Sequence, residues 1–585
     1  MKDKQTSHLQ TLYKFLRKYR HYFIWGVVAV VGTSAFTTIL PWILKDAIDA
    51  ITNGTNAQQL LDYALMITGI AVVAGVFRFF QRRTIIWASR HIEYDLRNEF
   101  FGHLLKLSAS FYQRTPTGDI IARASNDMEA VRMMVGPAVM YFINSIVSAI
   151  FVITALIVLS PKLMLYALIP LPLLSILMWQ IGQQVHKRFR KIQDHFSFMS
   201  SFVQENLAGV RVIKAYLREL QQQRKFEGIN EKYIDLNMSL ARVRALFMPG
   251  IMFLAGTILL IVIWMGGRQV IFGTMTLGEL VAFYVYLQML IWPMIGFGFV
   301  ISLYQRGSAS MARIDQMLQE RPDVVDPARP LAPIGKGAIK VEKLTFSFPG
   351  SDTPLLKDVS FEVQPGEKLA IVGATGSGKS TLVSLLMRRF PVPIDSIFID
   401  GIDINQMKLD HLRSLIGFVP QESYLFSTTI EENIGFAQQT TDPDSIEHAA
   451  QLAAFDSEVE SFPRGYQTLL GERGITLSGG QKQRAALARA LLIKPPILVF
   501  DDSFSSVDTQ TEEAILHNLA EYSGKSTILL ISHRPSTIKR ADKIVVLDQG
   551  TIVERGTHEE LLSLQGRYWE IIRKELLASE LEAWA

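Results

Sequence analysis

Apolar residues are concentrated in the first half of the chain, where six stretches are long enough to cross a lipid bilayer. A membrane-spanning helix needs about 20 mostly apolar residues. The six stretches are Tyr22–Leu40, Leu61–Phe80, Val139–Leu159, Leu163–Ile181, Phe247–Met265 and Leu280–Leu303. Only Ser160, Pro161 and Lys162 separate the third stretch from the fourth, which predicts a tight helical hairpin. After Pro322 there is no such stretch. The sequence therefore predicts a first half that spans the membrane and a second half without membrane spans.

Basic residues flank the predicted spans and indicate their orientation. They precede the first span and follow the second and the fourth: Lys14, Arg17, Lys18, Arg20, Arg82, Arg83, Lys187, Arg188, Arg190 and Lys191. Short cytoplasmic loops of membrane proteins carry an excess of Lys and Arg. An even number of spans returns the chain to the side on which it started. We therefore expect a multi-pass protein of the cytoplasmic membrane with both termini in the cytoplasm.

Two long connections, residues 82–136 and 182–246, lie on the predicted cytoplasmic side. In both, apolar residues recur at three- and four-residue spacing, over Ile92–Leu107 and over Phe202–Tyr216, which is typical of amphipathic helices. We interpret the connections as helical extensions of the spans that project into the cytoplasm. The alternative is that they are loops without a special role.

The second half alternates short β-rich runs with helical segments. The runs Lys368–Val372, Ile416–Val419, Ile497–Phe500 and Thr527–Ile531 predict an α/β domain with a largely parallel sheet. The predicted domains are an N-terminal amphipathic segment (1–21), a six-helix transmembrane domain (22–318), a linker rich in Pro, Asp and Arg (319–336), an α/β domain (337–575) and a C-terminal tail (576–585).

Composition narrows the class of protein. Of the 585 residues, 49% are hydrophobic and 19% are charged, against roughly 25% charged in ordinary soluble domains. The net charge of +4 is too small to indicate a nucleic-acid partner. The chain has no cysteine, which excludes disulfides, thiolate metal sites and a cysteine nucleophile. The basic N-terminus lacks the features of a cleaved signal peptide.

The clearest chemical motif is a phosphate-binding loop between a predicted strand and a predicted helix. Its residues are Gly373, Ala374, Thr375, Gly376, Ser377, Gly378, Lys379 and Ser380, followed by Thr381. Glycines let backbone N–H groups curl around phosphate oxygens, and the helix N-terminus favours an anion. Lys379 is expected to neutralise the β- and γ-phosphates of a nucleotide, and the Ser380 hydroxyl to ligate Mg²⁺.

Two adjacent carboxylates, Asp501 and Asp502, follow the apolar run Ile497–Phe500. A carboxylate at the end of such a strand holds Mg²⁺ in many phosphate-loop proteins, and Asp501 fits this role. Asp502 is then placed to face the attacking water. An ordinary helix cap is the alternative for an isolated acidic pair.

Between these two sites lies the pentapeptide Leu477, Ser478, Gly479, Gly480 and Gln481, followed by a helical pattern. Serine and glycines at a helix N-terminus can bind an anion through the backbone N–H groups there. This motif is the signature sequence of ATP-binding cassette (ABC) proteins. The whole chain resembles an ABC exporter half-transporter, with a transmembrane domain fused to a P-loop NTPase cassette.

The resemblance implies roles for further residues. Gln421 in FVPQES matches the glutamine that contacts Mg²⁺ and water, Phe348 in LTFSFPG matches the aromatic that stacks on adenine, and His533 in LLISHRPST matches the histidine that contacts the γ-phosphate. The family usually has Tyr where this chain has Phe348. Asp508 in SSVD matches the aspartate that communicates between the two ATP sites, and Gly471–Gly474 matches a loop that touches the membrane domain. The segments SFYQRTPTGDIIARASND and ENLAGVRVIKAY resemble the two intracellular loops that dock on cassettes.

One departure from the family concerns Asp502, because the family normally has Glu at this position. Aspartate is one methylene shorter, and a misplacement of about 1 Å can cost ~10²-fold in rate. In ABC exporters each of two ATP sites joins the phosphate loop of one cassette to the signature of the other. The chain therefore resembles the subunit with the impaired site in a bacterial heterodimeric multidrug exporter. A homodimer in which aspartate supports turnover is the alternative.

The resemblance implies an ATP-hydrolysing exporter of amphiphilic or lipophilic compounds. Its partners are a second half-transporter, the bilayer and a small amphiphilic substrate, and its cofactors are ATP and Mg²⁺. Tyr284, Tyr286, Met289, Trp292, Met294, Phe297 and Phe299 crowd the sixth span. They are candidates for an adaptable apolar pocket or for lipid and helix packing. A peptide or lipid exporter and an ATP-gated channel are further alternatives.

Overall fold

Helices account for nearly all of the membrane half. The computed structural model describes residues 2–584 except 334, 352, 439–441, 472–473, 475–476 and 523–525. The helices that precede the first strand are α1 Lys2–Lys18, α2 Arg20–Thr52, α3 Ala57–Leu104, α4 Ala109–Arg114, α5 Thr117–Ala122, α6 Met128–Met133, α7 Val139–Leu159, α8 Pro161–Leu168, α9 Pro170–Ala208, α10 Val210–Ala215, α11 Glu219–Ala245, α12 Phe247–Ile261, α13 Gly267–Ile271 and α14 Leu277–Leu318. Short π-helical segments connect α5 to α6, α6 to α7 and α12 to α13.

Four helical stretches among the described residues are long and apolar enough to cross a membrane. They are Arg20–Thr52, Ala57–Leu104, Thr117–Leu159 and Leu277–Leu318, and they contain the first, second, third and sixth predicted spans. A shorter apolar helix covers Gly256–Ile271, within and just beyond the fifth predicted span. The fourth predicted span falls in α8 and α9, where the side chains of residues 170–179 are not among those described.

The predicted hairpin between the third and fourth spans is confirmed. Helix α7 ends at Leu159 and α8 begins at Pro161. Ser160 between them is extended, and its hydroxyl accepts a hydrogen bond of 3.3 Å from the Leu163 N–H. Proline at the first helical position costs no hydrogen bond there, so Ser160 and Pro161 together start the new helix.

The long connections are helical, as predicted. Helix α3 continues to Leu104, and α9 continues to Ala208, where Gly209 separates it from α10. Helices α9 and α11 pack on each other through ring contacts, Phe196 with Tyr233 and Phe202 with Phe226. The amphipathic spacing of this region therefore reflects packing between two helices.

Two sheets form the framework of the second half. The strands are β1 Ile339–Phe346, β2 Leu356–Val363, β3 Lys368–Val372, β4 Ile397–Ile399, β5 Ile402–Asp403, β6 Ile416–Val419, β7 Ile497–Asp501, β8 Thr527–Ile531, β9 Lys543–Asp548 and β10 Thr551–Gly556. One sheet is antiparallel with the order β2-β1-β4-β5. The other has the order β10-β9-β3-β8-β7-β6 and is parallel except for the pairing of β10 with β9. The four predicted runs are β3, β6, β7 and β8, so the prediction of a largely parallel sheet is confirmed, whereas the antiparallel sheet was not foreseen.

Alternate residues of the parallel strands pack into two apolar cores, one on each face of the sheet. In β7, Leu498 and Phe500 join one core, and Ile497 and Val499 join the other. A strand buried on both faces reads as a continuous apolar run. The helices of this half are α15 Lys379–Leu386, α16 Leu409–Ser414, α17 Ile430–Gly435, α18 Pro443–Leu452, α19 Asp456–Ser461, α20 Gly479–Leu492, α21 Thr509–Tyr522, α22 Pro535–Ile538, α23 His558–Ser563 and α24 Arg567–Trp584.

The chain divides into two compact units. One contains residues up to Gly102 together with Ile121–Gln319, and the other contains His103–Ile120 together with the chain from Glu320 onward. Within the second unit, the Ser108 hydroxyl accepts a hydrogen bond from the Val324 N–H, and Arg114 pairs with Glu320 at 2.8 Å. The segment around α4 thus belongs with the α/β half. The predicted domain boundaries at residues 22, 319, 337 and 576 stay predictions.

Candidate functional site

A cleft lies where the parallel strands β3, β7 and β8 end. Ligands of open α/β sheets bind at the carboxyl edge of the strands. The cleft has a volume of about 270 Å³. Its lining residues are Leu355, Thr375, Gly376, Gly378, Lys379, Ser380, Thr381, Gln421, Asp501, Asp502, Ile531 and His533. The structure therefore brings together the phosphate loop, both carboxylates, Gln421 and His533 from four separate parts of the sequence.

The phosphate loop requires glycine for two different reasons. Gly376 and Gly378 have φ of +84° and +103°, in the region that favours glycine. At Gly373 the difficulty is space, because a Cβ there would lie 2.1 Å from the carbonyl oxygen of Leu547. Gly373, Ala374 and Ser377 are not among the residues that line the cleft. Gly376 and Gly378 line the cleft, so phosphate oxygens can approach their backbone.

Lys379 is a buried cation at the first position of α15. It is 7% exposed, and its Nζ donates to the carbonyl oxygens of Gly373 and Ala374 at 2.8 and 2.9 Å. Burial lowers the pKa of Lys379, while the charges of Asp501 and Asp502 act in the opposite direction. The ammonium group is held by neutral carbonyls of its own loop, so it is suited to pair with an anion in the cleft.

Asp501 ends β7 and meets the first turn of α15. Its Oδ1 accepts a hydrogen bond of 2.9 Å from the Ser380 hydroxyl. Burial raises the pKa of Asp501, and the bond from Ser380 opposes this shift. A carboxylate and a hydroxyl oxygen side by side fit Mg²⁺, which is often bound by one or two protein oxygens plus substrate phosphates. The described part of the chain contains no cluster of three His, Cys, Asp or Glu side chains that could hold a metal alone.

Asp502 has an unusual backbone conformation for a residue other than glycine. Its φ is +46°, and its N–H donates a hydrogen bond of 2.8 Å to the carbonyl oxygen of Ile531 in β8. The Gln421 Nε2 lies 3.5 Å from Asp502 Oδ2, at the long limit of a hydrogen bond. Asp502, Gln421 and the half-buried His533 line the same cleft. Aspartate tolerates the left-handed region better than most residues, which suits it to this turn.

Phe348 lies beside the first sheet and does not line the cleft. Its ring packs edge-on against Phe346 and Phe390, with centroids 5.2 and 5.3 Å apart. The ring is half-buried, so part of its surface stays available for stacking. Its adenine-stacking role stays a prediction.

The signature segment is separate from the cleft and begins the 14-residue helix α20. Ser478 caps this helix: its hydroxyl accepts from the Gln481 N–H, and the Gln481 side chain accepts from the Ser478 N–H at 2.9 Å. Leu477 is buried in the core and anchors the segment. A Cβ at Gly480 would lie 2.8 Å from the Ser506 carbonyl oxygen, which explains that glycine. Glycines at a helix start leave backbone N–H groups open to an anion.

An ion pair between a buried carboxylate and a half-buried arginine, which the sequence analysis missed, holds the segments after Asp502 and His533 together. Glu512 is fully buried and accepts from Arg534 at 2.5 Å and from Ser536 at 2.9 Å. The same guanidinium donates to the carbonyl oxygens of Val507 and Ser505. No local pattern marks Glu512, since acidic residues are common in the first turn of exposed helices.

Asp508 lies in the segment held by Arg534. Its carboxylate accepts a hydrogen bond of 2.9 Å from the Thr511 N–H and so caps α21. This bond lowers the pKa of Asp508. The loop Gly471–Gly474 falls partly outside the described residues, at 472 and 473, and its predicted contact is not assigned.

Comparisons with known proteins agree with this architecture. The family described as ABC transporter transmembrane region matches residues 23–294, and the family described as ABC transporter matches residues 356–505. The chain is 36% identical over 581 residues to the "Probable multidrug resistance ABC transporter ATP-binding/permease protein YheI" of Bacillus subtilis (strain 168), covering 99% of both chains. It is 33% identical to the "ATP-dependent lipid A-core flippase" of Syntrophus aciditrophicus (strain SB), covering 96% of this chain and 93% of that one.

A solved structure shares the fold. It is described as a bacterial Atm1-family ABC exporter with ATP bound, with a TM-score of 0.73, 28% identity, and coverage of 94% of this chain and 97% of that chain. Fold and site define a membrane protein with a fused nucleotide-binding cassette. The chain belongs to the ABC transporter family, as a membrane domain and an ATPase cassette in one polypeptide. It is a transporter ATPase that binds ATP and couples its hydrolysis to export across a membrane.

Proposed function

We propose that this chain exports amphiphilic or lipophilic compounds from the cytoplasm across the cytoplasmic membrane, as one subunit of a heterodimer. The observation that carries the proposal is the position of Asp502 in an otherwise complete site. Lys379, Ser380, Asp501, Gln421 and His533 line one cleft, so the chain retains the other groups that ATP hydrolysis needs.

Different residues of the cleft would contact the phosphates, the Mg²⁺ ion and the attacking water. The loop from Gly376 to Gly378 offers backbone N–H groups to phosphate oxygens, and Lys379 offsets their charge. Ser380 and Asp501 would hold Mg²⁺, which withdraws charge from the phosphates when bound. Gln421 and Asp502 orient water at the γ-phosphate, and His533 contacts that phosphate from the end of β8.

The surroundings of Asp502 support the hypothesis that this chain's own ATP site is impaired. The Gln421 amide reaches the carboxylate only at 3.5 Å, and the backbone at Asp502 is held by its bond to Ile531, so the short side chain has little freedom to advance. A general base must lie within hydrogen-bond reach of the water it activates. In the proposed pair, the partner contributes a glutamate to a site completed by Ser478 of this chain. A homodimer with slow turnover is the second candidate.

The substrate class rests on the relatives and on the sixth predicted span. The relative from Bacillus subtilis is described as a multidrug resistance transporter, and the one from Syntrophus aciditrophicus as a lipid flippase. In α14, Tyr286 is buried and donates to the Thr38 carbonyl oxygen, so it packs between helices. Phe299 is 47% exposed and stays a candidate for apolar contact with a substrate or with lipid. A lipid or peptide exporter of the same architecture is the alternative.

Transport in sealed inside-out membrane vesicles tests the proposed function. A fluorescent amphiphile should accumulate against its gradient when ATP and Mg²⁺ are present, and Ser478→Arg in the paired complex should abolish this accumulation. Equilibration without uphill accumulation would indicate an ATP-gated channel. The experiment should be done with this chain alone and with a glutamate-bearing half-transporter co-expressed, because only the pair is expected to transport rapidly.

A further inference from the structure

A buried glutamine on the signature helix α20 contacts the segment that follows Asp502. Gln483 lies about one turn into the helix and is 5% exposed. Its Nε2 donates a hydrogen bond of 3.0 Å to the Ser505 hydroxyl, and its Oε1 accepts one of 3.0 Å from the Ser506 N–H. One side-chain amide thus binds two successive residues, neither of which lines the nucleotide cleft.

The same segment packs against the first residues of α20. A Cβ at Gly479 would lie 3.2 Å from the Ser506 Cβ, and a Cβ at Gly480 would lie 2.8 Å from the Ser506 carbonyl oxygen. These glycines directly follow Ser478, and the first turn of a helix has backbone N–H groups without partners inside the helix. The position of Ser506 therefore determines where this anion-binding helix start can lie.

A second set of hydrogen bonds fixes the segment to the residues that follow β8. Arg534 donates to the carbonyl oxygens of Ser505 at 3.0 Å and of Val507 at 2.7 Å. Arg534 directly follows His533, which lines the cleft together with Asp502. Residues 505–507 are thus joined to two groups of this chain's own nucleotide cleft and also to the start of α20.

Side-chain bonds decide the position of this segment, because residues 502–508 lie in neither a helix nor a strand. The amide of Gln483 uses both its oxygen and its nitrogen here, and fully satisfied buried polar contacts make a structure rigid. A displacement of Asp502 or His533 therefore reaches α20 through Arg534 and Gln483.

We propose that Gln483 is a positioning residue that couples the two ATP sites of the dimer. It transmits the position of Asp502 and His533, at this chain's own nucleotide, to Ser478 and Gly479. In the proposed dimer these two residues meet the partner's nucleotide, where a small misplacement of a preorganised contact slows hydrolysis. The proposal rests on the dimeric arrangement under the proposed function, and it does not depend on the transported compound.

Steady-state ATPase assays on the full chain, in complex with a glutamate-bearing half-transporter, test the role of Gln483. Gln483→Met keeps the length of the side chain and removes both hydrogen bonds. The matched control is Gln438→Met, because Gln438 donates a hydrogen bond of 3.1 Å to the Leu492 carbonyl oxygen at the opposite end of α20. We expect kcat to fall about tenfold in the test variant with KM for ATP unchanged, and the control to behave as the native complex.

Gln483→Glu provides the conservative variant. Its carboxylate can accept from both the Ser506 N–H and the Ser505 hydroxyl, so it should recover much of the lost rate. A native rate in Gln483→Met, an equal loss in the Gln438 control, or a rise in KM that accounts for the whole loss would each overturn the proposal. Failure of Gln483→Glu to exceed the rate of Gln483→Met would also overturn it.

A second comparison tests the link between the sites. Lys379→Ala weakens nucleotide binding at this chain's own loop, and it should slow hydrolysis at the partner's site several-fold. Adding Gln483→Met should then cause no loss beyond that of the slower single variant, because residues of one network are not additive. Losses that multiply, or an unchanged rate in Lys379→Ala, would overturn the coupling.

Complete loss of activity in Lys379→Ala alone would contradict the heterodimer of the proposed function, since both sites would then depend on this loop. The comparison of Gln483→Met with Gln438→Met still decides the role of Gln483 in that case, because every dimer of this chain uses its signature.

Discussion

The Ser380 hydroxyl donates a hydrogen bond of 2.9 Å to Oδ1 of Asp501, joining the first turn of α15 to the end of β7. The two residues are separated by 121 positions in the sequence. Their contact places the two proposed Mg²⁺ ligands beside the phosphate loop. It also means that the ligand pair is preorganised, so little side-chain movement is needed on binding.

Replacing Asp501 with Asn should raise the stability of the nucleotide-free protein while removing Mg²⁺-dependent ATPase activity. Burial raises the pKa of Asp501 above its ordinary value of 3.8, so the unfolded chain releases this proton more readily. The free energy of unfolding therefore falls as pH rises from the ordinary pKa to the raised pKa of Asp501. At pH 7 the ionised carboxylate destabilises the folded protein. Asn keeps the shape and can still accept from Ser380. The apparent unfolding temperature at pH 7, measured without nucleotide, should increase.

Asp508→Asn serves as the control, because we expect it to change the unfolding temperature in the opposite direction. The bond from the Thr511 N–H lowers the pKa of Asp508, so its charge stabilises the fold above the ordinary pKa and this contribution disappears as pH falls. This variant should unfold at a lower temperature at pH 7. Shifts in the same direction for both variants would contradict the assignment of these charges.

Lys379→Ala should weaken ATP binding to this chain's own phosphate loop by at least about tenfold, because the phosphates lose a charge-assisted partner in a largely desolvated position. Equilibrium binding of a labelled ATP analogue measures the effect. Lys336→Ala, in the exposed linker, is a suitable control and should bind as the native protein does. Unchanged affinity of the Lys379 variant would mean that the nucleotide does not bind in this cleft.

The purified chain alone should hydrolyse ATP poorly, and Asp502→Glu should increase its rate. The added methylene extends the carboxylate by about 1 Å, and a displacement of this size can change rates by ~10². Steady-state ATPase assays on the two forms, matched for ATP binding, give the comparison. Rapid turnover by the native chain, with no gain in the Glu variant, would argue for a competent homodimer.

In a complex with a glutamate-bearing partner, Ser478→Arg should nearly abolish ATPase activity, whereas Asp502→Asn should leave much of it. Ser478 caps α20 at the helix start that faces the partner's nucleotide in the proposed arrangement. Loss of one preorganised contact can cost about 10²–10³ in rate, whereas Asp502 serves the site that is already slow. In a homodimer each change would affect both sites, so comparable losses would count against the asymmetric arrangement.

Glu512→Ala should destabilise the cassette by about 1–3 kcal/mol, because donors that meet the buried carboxylate lose their acceptor. Arg534, Ser536 and Thr537 would lose their shared acceptor. Glu512→Gln keeps an acceptor and should lose less. Chemical denaturation of the three forms gives the ranking, and equal stability of all three would mean that the carboxylate charge and its hydrogen bonds contribute nothing.

Much of this protein is determined by local sequence. The apolar stretches predict the membrane helices because a span of lipid requires about 20 such residues whatever its neighbours. The phosphate loop and the signature are readable because glycine, lysine and serine act through the backbone conformation and helix ends that those few residues form themselves. The strand pattern of β3, β6, β7 and β8 follows in the same way from burial on both faces of the sheet.

Tertiary structure decided which distant residues share a site. Three features join segments that share no sequence pattern. They are the contact of Ser380 with Asp501, the ion pair of Glu512 with Arg534 and the cavity between Gln184 of α9 and Ser239 of α11. The antiparallel sheet and the grouping of His103–Ile120 with the α/β half were likewise not predictable. Local patterns depend on energies within a few turns of chain, whereas these pairings depend on packing between elements, which only the assembled fold specifies.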